Sequence, residues 1–178
     1  MAELDHVLAR MRHVAAQVPA MPSPYRLQEP SFDGPATAAD VAAVEAALGF
    51  VLPSDYRTFL QQCGRVSAID IHNGYQLLPP SLTIRIRDQD EIPKTIGGSP
   101  ALPVGADGGG NLFLLSLRPP HEVWKWNHET GAATNGTLPL THASLTSVSF
   151  GFVAFLERVL EDWEHFIADD RQWPFLAG

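Results

Sequence analysis

The feature that most constrains the fold is the segment PVGADGGGNLFLLSL, residues 103–117, in which a glycine-rich stretch separates two apolar runs. Asp, Gly and Asn accept the backbone conformations of tight turns at little cost. A second alternating run, EVWKWNHETG, follows and ends in another turn. The pattern predicts a three-stranded antiparallel meander from Leu102 to Asn127. Its first turn is assigned to five structural residues, Asp107, Gly108, Gly109, Gly110 and Asn111.

The same glycines do not fit a phosphate-binding loop. A Walker loop requires Lys and then Ser or Thr after its last glycine, whereas Asn111 and Leu112 follow here. The dinucleotide pattern GxGxxG fails from Gly105 and from Gly108. Either motif also needs a helix whose N-terminal amides face the phosphates, and a strand-like run follows instead. The turn interpretation is therefore preferred.

The composition is that of one ordinary globular domain. The chain has 178 residues, 45% of them hydrophobic, which suffices for a sizeable core. A single cysteine excludes an internal disulfide, so we expect a reducing cytoplasm as the location. No apolar run is long enough to span a bilayer, and the N-terminal stretch MAELDHVLARMRH has no apolar signal core. We therefore expect no membrane association.

Charge narrows the choice of partners. The chain carries 12 Lys and Arg residues against 20 Asp and Glu residues, a formal net charge of −8 at pH 7. Nucleic acids require clusters of basic side chains, which this sequence lacks. The charge balance suits a basic protein partner instead. These patterns indicate no cofactor and do not determine the oligomeric state.

Apolar spacing predicts three helices before the meander begins. The first is amphipathic and runs from Leu4 to Val18, after which a proline-rich linker follows. Thr37 can cap the second helix, with Asp40 completing a weak capping box. Gly49 is expected to end it.

Further elements follow from similar signals. A third helix is predicted over LPSDYRTFLQQCG, and Asn73-Gly74 within SAIDIHNGYQLL predicts a hairpin. The segment SLTIRIRDQDEIPKTI is ambiguous, since LTIRIR alternates like a strand while DQDEI could begin a helical turn. The stretch from Ala132 to Thr146 is expected to be a loop. Ser149 is expected to cap a long final helix.

The order of these pieces resembles the SMI1/KNR4 family of the SUKH superfamily. The resemblance rests on VEAALGFVLPSDYRTFL, then LPVGADGGGNLFLLSL and EVWKWNHETG, then SFGFVAFLERVLED. It covers residues 37–167. It implies an α+β fold, a single domain with a mainly antiparallel sheet flanked by helices. Residues 1–36 are then an N-terminal helix and proline-rich extension, and residues 168–178 are a C-terminal tail.

The resemblance also implies a function. Family members are not known as enzymes. Many bacterial members resemble immunity proteins that neutralise a polymorphic toxin by binding it. The fungal namesakes are linked to cell-wall assembly and signalling. This chain is therefore expected to be a cytoplasmic, non-enzymatic protein-binding module, and most concretely an immunity protein with a toxin-domain partner. The alternatives are a regulatory or scaffolding protein of the same fold and a small hydrolase.

Candidate catalytic and metal-binding groups have simpler explanations. The best cluster for a metal comprises His121, His128, His142, Glu122 and Glu129, and none of these pairs has a zinc spacing such as HExxH. Cys63 with His72 as its base could form a nucleophile pair, but Cys63 shares the apolar helix face of its neighbours. The motif GxSxG is missing. The paired carboxylates, Glu161-Asp162 among them, are expected to be solvated.

Two sets of residues are candidates for partner binding. The first is the acidic stretch containing Asp88, Asp90 and Glu91, which could steer a basic partner. The second is the pair Trp124 and Trp126, which should share one face of a strand. That face is either core, the favoured alternative, or an exposed binding patch. In the tail, the aromatic residues of RQWPFLAG are either docked on the body or available to a partner.

Overall fold

The computed structural model describes residues 2–21, 23, 26–131, 133, 135–170 and 172–176. Its helices are α1 (Ala2–Ala15), α2 (Ala38–Leu48), α3 (Ser54–Gln62), α4 (Pro80–Arg87) and α5 (Phe152–Ile167), with a 3-10 turn at Val18–Ala20. Its strands are β1 (Ser31–Phe32), β2 (Val66–Ala68), β3 (Tyr75–Leu77), β4 (Thr95–Ile96), β5 (Ser99–Asp107), β6 (Leu112–Ser116), β7 (Glu122–Trp126), β8 (Thr137–Leu138) and β9 (Leu145–Phe150). The fold class is α+β, as predicted.

The strands form a mostly antiparallel sheet in the order β1-β2-β3-β5-β6-β7-β9. On a side branch, β4 pairs with β5 and runs parallel to β8. The predicted meander is confirmed, because β5, β6 and β7 are consecutive antiparallel neighbours. The predicted hairpin also forms, but Ala68 pairs with Tyr75, so six residues connect the strands. Within this connection Ile71 is fully buried.

Helix α2 ends as its sequence predicts. The Thr37 hydroxyl accepts from the Asp40 amide, and the Asp40 carboxylate accepts from the Thr37 amide, which completes the capping box. The Thr37 hydroxyl also donates to Asp40 Oδ2 at 2.7 Å, and this bond, followed by the bond from the Thr37 amide, lowers the pKa of the Asp40 carboxyl. At the other end Gly49 has φ 67°, the left-handed conformation that suits a C-terminal glycine.

The predicted cap of α5 is wrong. Ser149 lies within β9, and its hydroxyl donates to the Gly151 carbonyl at 3.2 Å. The N-cap is Gly151, which has no side chain, and the first helical amide, that of Phe152, donates to Asp55 Oδ2 at 3.0 Å. A carboxylate from α3, 97 residues earlier in the chain, thus supplies the acceptor that a local serine was expected to supply.

Two further segments, one with an ambiguous prediction and one predicted to be a loop, contain regular structure. The ambiguous stretch forms α4, in which Pro80 occupies the first turn and Thr83 is fully buried. Ile84 packs against one core and Ile86 packs against another. Isoleucines two positions apart on this helix therefore contact two different cores.

The prediction of a loop from Ala132 to Thr146 is wrong in part, since this stretch contains β8 and the first two residues of β9, and Leu138 of β8 is buried. Ala132 and Thr134 lie outside the described residues.

The sheet separates two apolar cores. Along β6, Phe113 and Leu115 belong to the main core on the helix side, while Leu112 and Leu114 belong to a second, smaller core. The helices α1, α2, α3 and α5 all contribute to the main core. Within α1, residues such as Met11 are completely buried. The segment before residue 37 therefore shares the main core with the rest of the chain.

Candidate partner-binding surface

The acidic stretch forms an exposed turn directly after α4. The side chains of Asp88, Asp90 and Glu91 are all exposed. The backbone is held in place, because the Asp88 amide donates to the Ile84 carbonyl and the Ile92 amide donates to the Gln89 carbonyl. Among the described residues, these three carboxylates form no ion pair. We call this turn, residues 88–91, the acidic loop.

The two tryptophans lie on one face of β7, as predicted, and that face belongs to the second core. Trp126 is only 2% exposed, and its indole N–H donates to the Gly131 carbonyl at 2.9 Å. Trp124 is half-buried against the same cluster. Val123 points to the main core instead. Trp126 is thus a core residue, and the side chain of Trp124 retains a surface that a partner could contact.

The acidic loop and Trp124 lie on the same side of the sheet. Ile86 and Ile92 flank the loop in sequence, and both pack in the second core, against which Trp124 also packs. The other members of that core are Ile96, Ala101, Leu112, Leu114, Trp126 and Leu138. The fold therefore combines a cluster of negative charges and a partly exposed aromatic ring on the face opposite the main core.

The glycine-rich turn is organised by one carboxylate. Asp107 is buried, and its Oδ1 accepts from the amides of Gly109 and Asn111, each at 2.9 Å. Its Oδ2 accepts from Asn111 Nδ2 at 2.8 Å and lies 3.4 Å from Lys125 Nζ. Gly110 has φ 85°, a conformation that favours glycine. The amides converge on a protein carboxylate, and this turn has no phosphate-binding geometry.

Two of the three histidines in the best metal-binding cluster are held by other contacts. His121 Nδ1 lies 3.2 Å from the Ser116 carbonyl oxygen, and His142 Nδ1 lies 2.7 Å from Ser144 Oγ. His128 is exposed. Within the described part of the chain, no group of three His, Cys, Asp or Glu residues is placed to hold a metal ion. The five candidate residues therefore do not form a site together.

Cys63 occupies a structural position. It is fully buried, and its thiol donates to the Arg65 carbonyl at 3.2 Å. Burial raises the pKa of the thiol, which disfavours the nucleophilic thiolate. His72, the base considered for it, stacks on Phe175 of the tail with ring centroids 4.3 Å apart.

Asp162, which was predicted to be solvated, is a buried carboxylate. Its exposure is 0%, and it accepts hydrogen bonds from Trp173 Nε1 and the Leu176 amide, each at 2.7 Å. Arg158 donates to it at 3.0 Å, and the Tyr75 hydroxyl donates as well. The expectation of a solvated carboxylate is wrong here because a tail from beyond the helix covers it. No local pattern in the sequence signals this burial.

The tail is docked on the body of the protein, which was one of the two alternatives for its aromatic residues. Trp173 stacks on His165 with ring centroids 3.6 Å apart, and the Arg158 guanidinium lies 4.7 Å from the Trp173 ring centre. The Lys125 ammonium donates to the Leu176 carbonyl. The described tail residues 172–176, together with their contacts to Asp162, are called the strap below.

A groove of about 540 Å³ lies on the helix side, where the N-termini of α1, α3 and α5 meet. Glu3, Asp55 and Glu157 line it, together with His121 and the 69% exposed Phe150. Asp55 is occupied as the cap of α5. Since the other two carboxylates are exposed, the groove lacks the apolar pocket that a general acid requires.

The fold and these surfaces define a class of protein: an α+β domain whose exposed chemistry is acidic and aromatic. The chain belongs to the SMI1/KNR4 family (SUKH-1), whose family model matches residues 35–169. The match begins close to the predicted boundary at residue 37 and leaves α1 outside. No curated protein matches the chain. No described helix combines the length and the apolar character needed to cross a membrane.

Proposed function

We propose that this protein is a bacterial immunity protein that neutralises a cognate polymorphic toxin by binding it directly in the cytoplasm. Membership of the SMI1/KNR4 family carries the proposal. The acidic loop supports it, because its three carboxylates are exposed and available to basic groups of a partner. The proposed partner is a basic toxin domain, and neutralisation occurs by occlusion of its active surface.

Recognition proceeds in two stages. The acidic loop accelerates the encounter by attracting positive charge, an effect that salt screens beyond about 10 Å at 0.1 M. Trp124 then contributes contact area at short range, where an aromatic side chain slows dissociation. The two roles can be tested separately, because the contribution of the acidic loop to association depends on ionic strength and the contribution of Trp124 to dissociation does not.

The first experiment identifies the partner. The chain is co-expressed with a toxin domain. That domain is the variable C-terminal region of a large secreted protein encoded by a neighbouring gene. The expected result is that cells survive the toxin only with this chain present, and that the purified proteins form a stoichiometric complex. Survival without complex formation would contradict direct binding. A stable complex with an endogenous cell-wall or signalling protein instead would favour the scaffolding alternative.

The second experiment tests steering by the acidic loop. The variant Asp88→Lys/Asp90→Lys/Glu91→Lys should associate with the toxin domain about tenfold or more slowly at low salt and approach the wild-type rate at high salt. The matched control reverses three other exposed carboxylates, Glu3→Lys/Glu29→Lys/Glu157→Lys. Both variants change the net charge by the same amount. Equal association rates for the two variants would show that only net charge matters and that the loop is not the steering site.

The third experiment tests the short-range contact. Trp124→Ala should increase the dissociation rate of the complex, with little dependence on salt. The variant's thermal midpoint, measured without toxin, must remain close to that of the wild type for this comparison. An unchanged dissociation rate would remove Trp124 from the binding surface.

A further inference from the structure

The strap is a segment that the family domain binds. The family match ends at residue 169, before the strap begins, whereas side chains that contact the strap lie within the match. We call one set of these side chains the strap cleft: His72, Lys125, Arg158, Asp162 and His165. Relative to the family domain, the strap is therefore placed as a bound peptide would be.

The strap cleft binds the backbone of the strap through charged side chains. Arg158 donates to the Pro174 carbonyl at 2.7 Å, and Lys125 donates to the Leu176 carbonyl. The fully buried Asp162 accepts from the Leu176 amide at 2.7 Å. Hydrogen bonds to charged groups are stronger than those between neutral groups. Since every peptide carries these backbone groups, the three contacts do not require the sequence of the strap.

Two aromatic side chains of the strap supply the selectivity that the backbone contacts lack. Trp173 stacks on His165 with ring centroids 3.6 Å apart, and its indole N–H donates to Asp162. Phe175 stacks on His72 with ring centroids 4.3 Å apart. Flat rings on both sides of each stack give contact area at a small cost in conformational entropy. The cleft therefore selects a segment that has an aromatic residue at both positions.

A tight turn brings the two aromatic rings to their places. The amide of Phe175 donates to the Trp173 carbonyl at 2.9 Å, which closes a three-residue γ-turn with Pro174 at its centre. Proline fixes φ close to the value that an inverse γ-turn requires. A segment with proline between two aromatic residues is thus prepared for binding before it reaches the cleft.

The strap is held in the cleft without being deeply buried. Trp173, Phe175 and Leu176 are half-buried, and Pro174 is exposed. Residues 172–176 form neither a helix nor a strand, so no ladder of backbone hydrogen bonds joins them to the sheet. Segments with little apolar burial open at a lower free energy than the core does. The strap can therefore leave the cleft while the domain stays folded.

We propose that the strap cleft is a binding site for a segment of another protein with the pattern aromatic-Pro-aromatic, and that the strap fills this site until such a segment displaces it. The partner's segment stacks its rings on His72 and His165 and receives the same backbone hydrogen bonds. Leu176 packs against the main core, on the side of the sheet opposite the acidic loop. This inference does not depend on the proposed function.

The test uses the full chain and a fluorescently labelled peptide, QWPFL, which has the sequence of residues 172–176. The variant Trp173→Ala/Phe175→Ala vacates the cleft. Fluorescence anisotropy should show that it binds the peptide at least about tenfold more tightly than wild type does, or about 1.4 kcal/mol, because no intact strap competes. The control Phe50→Ala/Val51→Ala removes two apolar side chains at 38% and 69% exposure elsewhere. It should bind the peptide as weakly as wild type.

Two further measurements assign the binding to the cleft. The peptide QAPAL, which lacks both rings, should bind the vacated variant at least about tenfold more weakly than QWPFL. Adding His165→Ala to the vacated variant should also weaken the binding of QWPFL, since one stacking surface is lost. Circular dichroism melts establish that the variants are folded.

Wild-type protein supplies a measurement that needs no vacated cleft. In ¹⁵N-labelled protein, the indole signal of Trp173 is assigned by its absence from Trp173→Phe. Unlabelled QWPFL at about 5 mM, comparable to the effective concentration of a tethered segment, should move this signal towards that of a solvent-exposed indole. The indole signals of the other tryptophans should stay in place.

Several results would overturn the proposal. The first is a folded vacated variant that does not bind QWPFL or binds it no better than wild type does. The second is equal binding of QAPAL, or binding that His165→Ala leaves unchanged. The third is a Trp173 indole signal that the peptide does not move, which would show that the strap cannot be displaced. If the vacated variant does not fold, this third measurement decides.

Discussion

At the scale of single residues, Gly108 shows why a turn requires glycine. Its amide donates to the Asn73 carbonyl at 2.8 Å, so the two loops are in backbone contact. A Cβ atom at Gly108 would lie 1.9 Å from the Asn73 carbonyl oxygen, a distance that no side chain tolerates. The contact links the meander turn to the connection between β2 and β3.

We predict that Gly108→Ala lowers the free energy of unfolding by about 1–3 kcal/mol, because the backbone must move to admit the methyl group. The control is Gly34→Ala, where an added Cβ meets nothing within 4 Å. It should change the free energy of unfolding by no more than about 0.5 kcal/mol. Urea denaturation monitored by tryptophan fluorescence measures both values. Similar losses in the two variants would show that the contact with Asn73 is unimportant.

A second residue-scale prediction concerns alkaline pH. Burial raises the pKa of Tyr56 from its ordinary 10.0 to about 12, an effect that the nearby Thr83 hydroxyl partly offsets. The folded state thus keeps the phenol neutral at a pH where the unfolded chain ionises. The resulting stability is complete below pH 10 and is lost as pH rises from 10 towards 12.

We predict that wild-type protein loses about 1 kcal/mol more stability than Tyr56→Phe between pH 8 and pH 11. Phe has no proton to lose, so its residual pH dependence reports all other groups. Urea titrations of both proteins at the two pH values give the difference. Parallel pH profiles for the two proteins would mean that the Tyr56 phenol is not held neutral by the fold.

At the scale of elements, the strap depends on one carboxylate of α5. Asp162 accepts from two strap donors and also from Arg158 and Tyr75. We predict that Asp162→Ala lowers the free energy of unfolding by about 3–5 kcal/mol, because it leaves a partly buried guanidinium and several donors without their acceptor. Chymotrypsin cleavage after Phe175 of the strap should also become faster.

The matched control for the strap is the neighbouring residue on the same helix. Glu161 is exposed and also pairs with Arg158, at 3.3 Å. Glu161→Ala should cost no more than about 1 kcal/mol, as expected for an exposed ion pair. A loss in Asp162→Ala as small as in the control, with an unchanged cleavage rate, would contradict the anchoring role of Asp162.

At the scale of the whole molecule, α1 lies outside the family match and inside the main core. Its residues Leu4, Leu8 and Met11 are buried together with those of α5. An ion pair between Arg10 and Glu164 at 2.5 Å joins the two helices at the surface. We infer that α1 and the family domain unfold as one unit.

We predict that Met11→Ala lowers the free energy of unfolding by about 2–5 kcal/mol and leaves a single cooperative transition. The control His6→Ala, at an exposed position of α1, should stay within about 0.5 kcal/mol of wild type. Far-ultraviolet circular dichroism and tryptophan fluorescence should give coincident denaturation curves. An early helical transition that leaves the fluorescence transition in place would show that α1 folds separately.

Local chemistry was enough to predict much of this molecule. Thr37, Asp40 and Gly49 mark the ends of α2 by hydrogen bonds and backbone preferences that involve only nearby residues. The alternation in EVWKW placed both tryptophans on one face of a strand. The order of these local signals also indicated the family. Such features were accessible because each depends on residues within a few positions of one another.

Only the tertiary structure determined which side chains are exposed to solvent and which residues distant in sequence are in contact. Asp162 is buried because the strap covers it, and Asp55 caps α5 because α3 packs beside that helix. Trp126 and Trp124 lie on the same strand face, but Trp126 is buried and Trp124 is partly exposed, since the second core covers them unequally. The acidic loop lies on the same side of the sheet as Trp124 only because Ile86 and Ile92, which flank the loop, pack in the second core. Burial is a property of everything packed around a side chain, and the neighbours that produce it here come from remote parts of the chain.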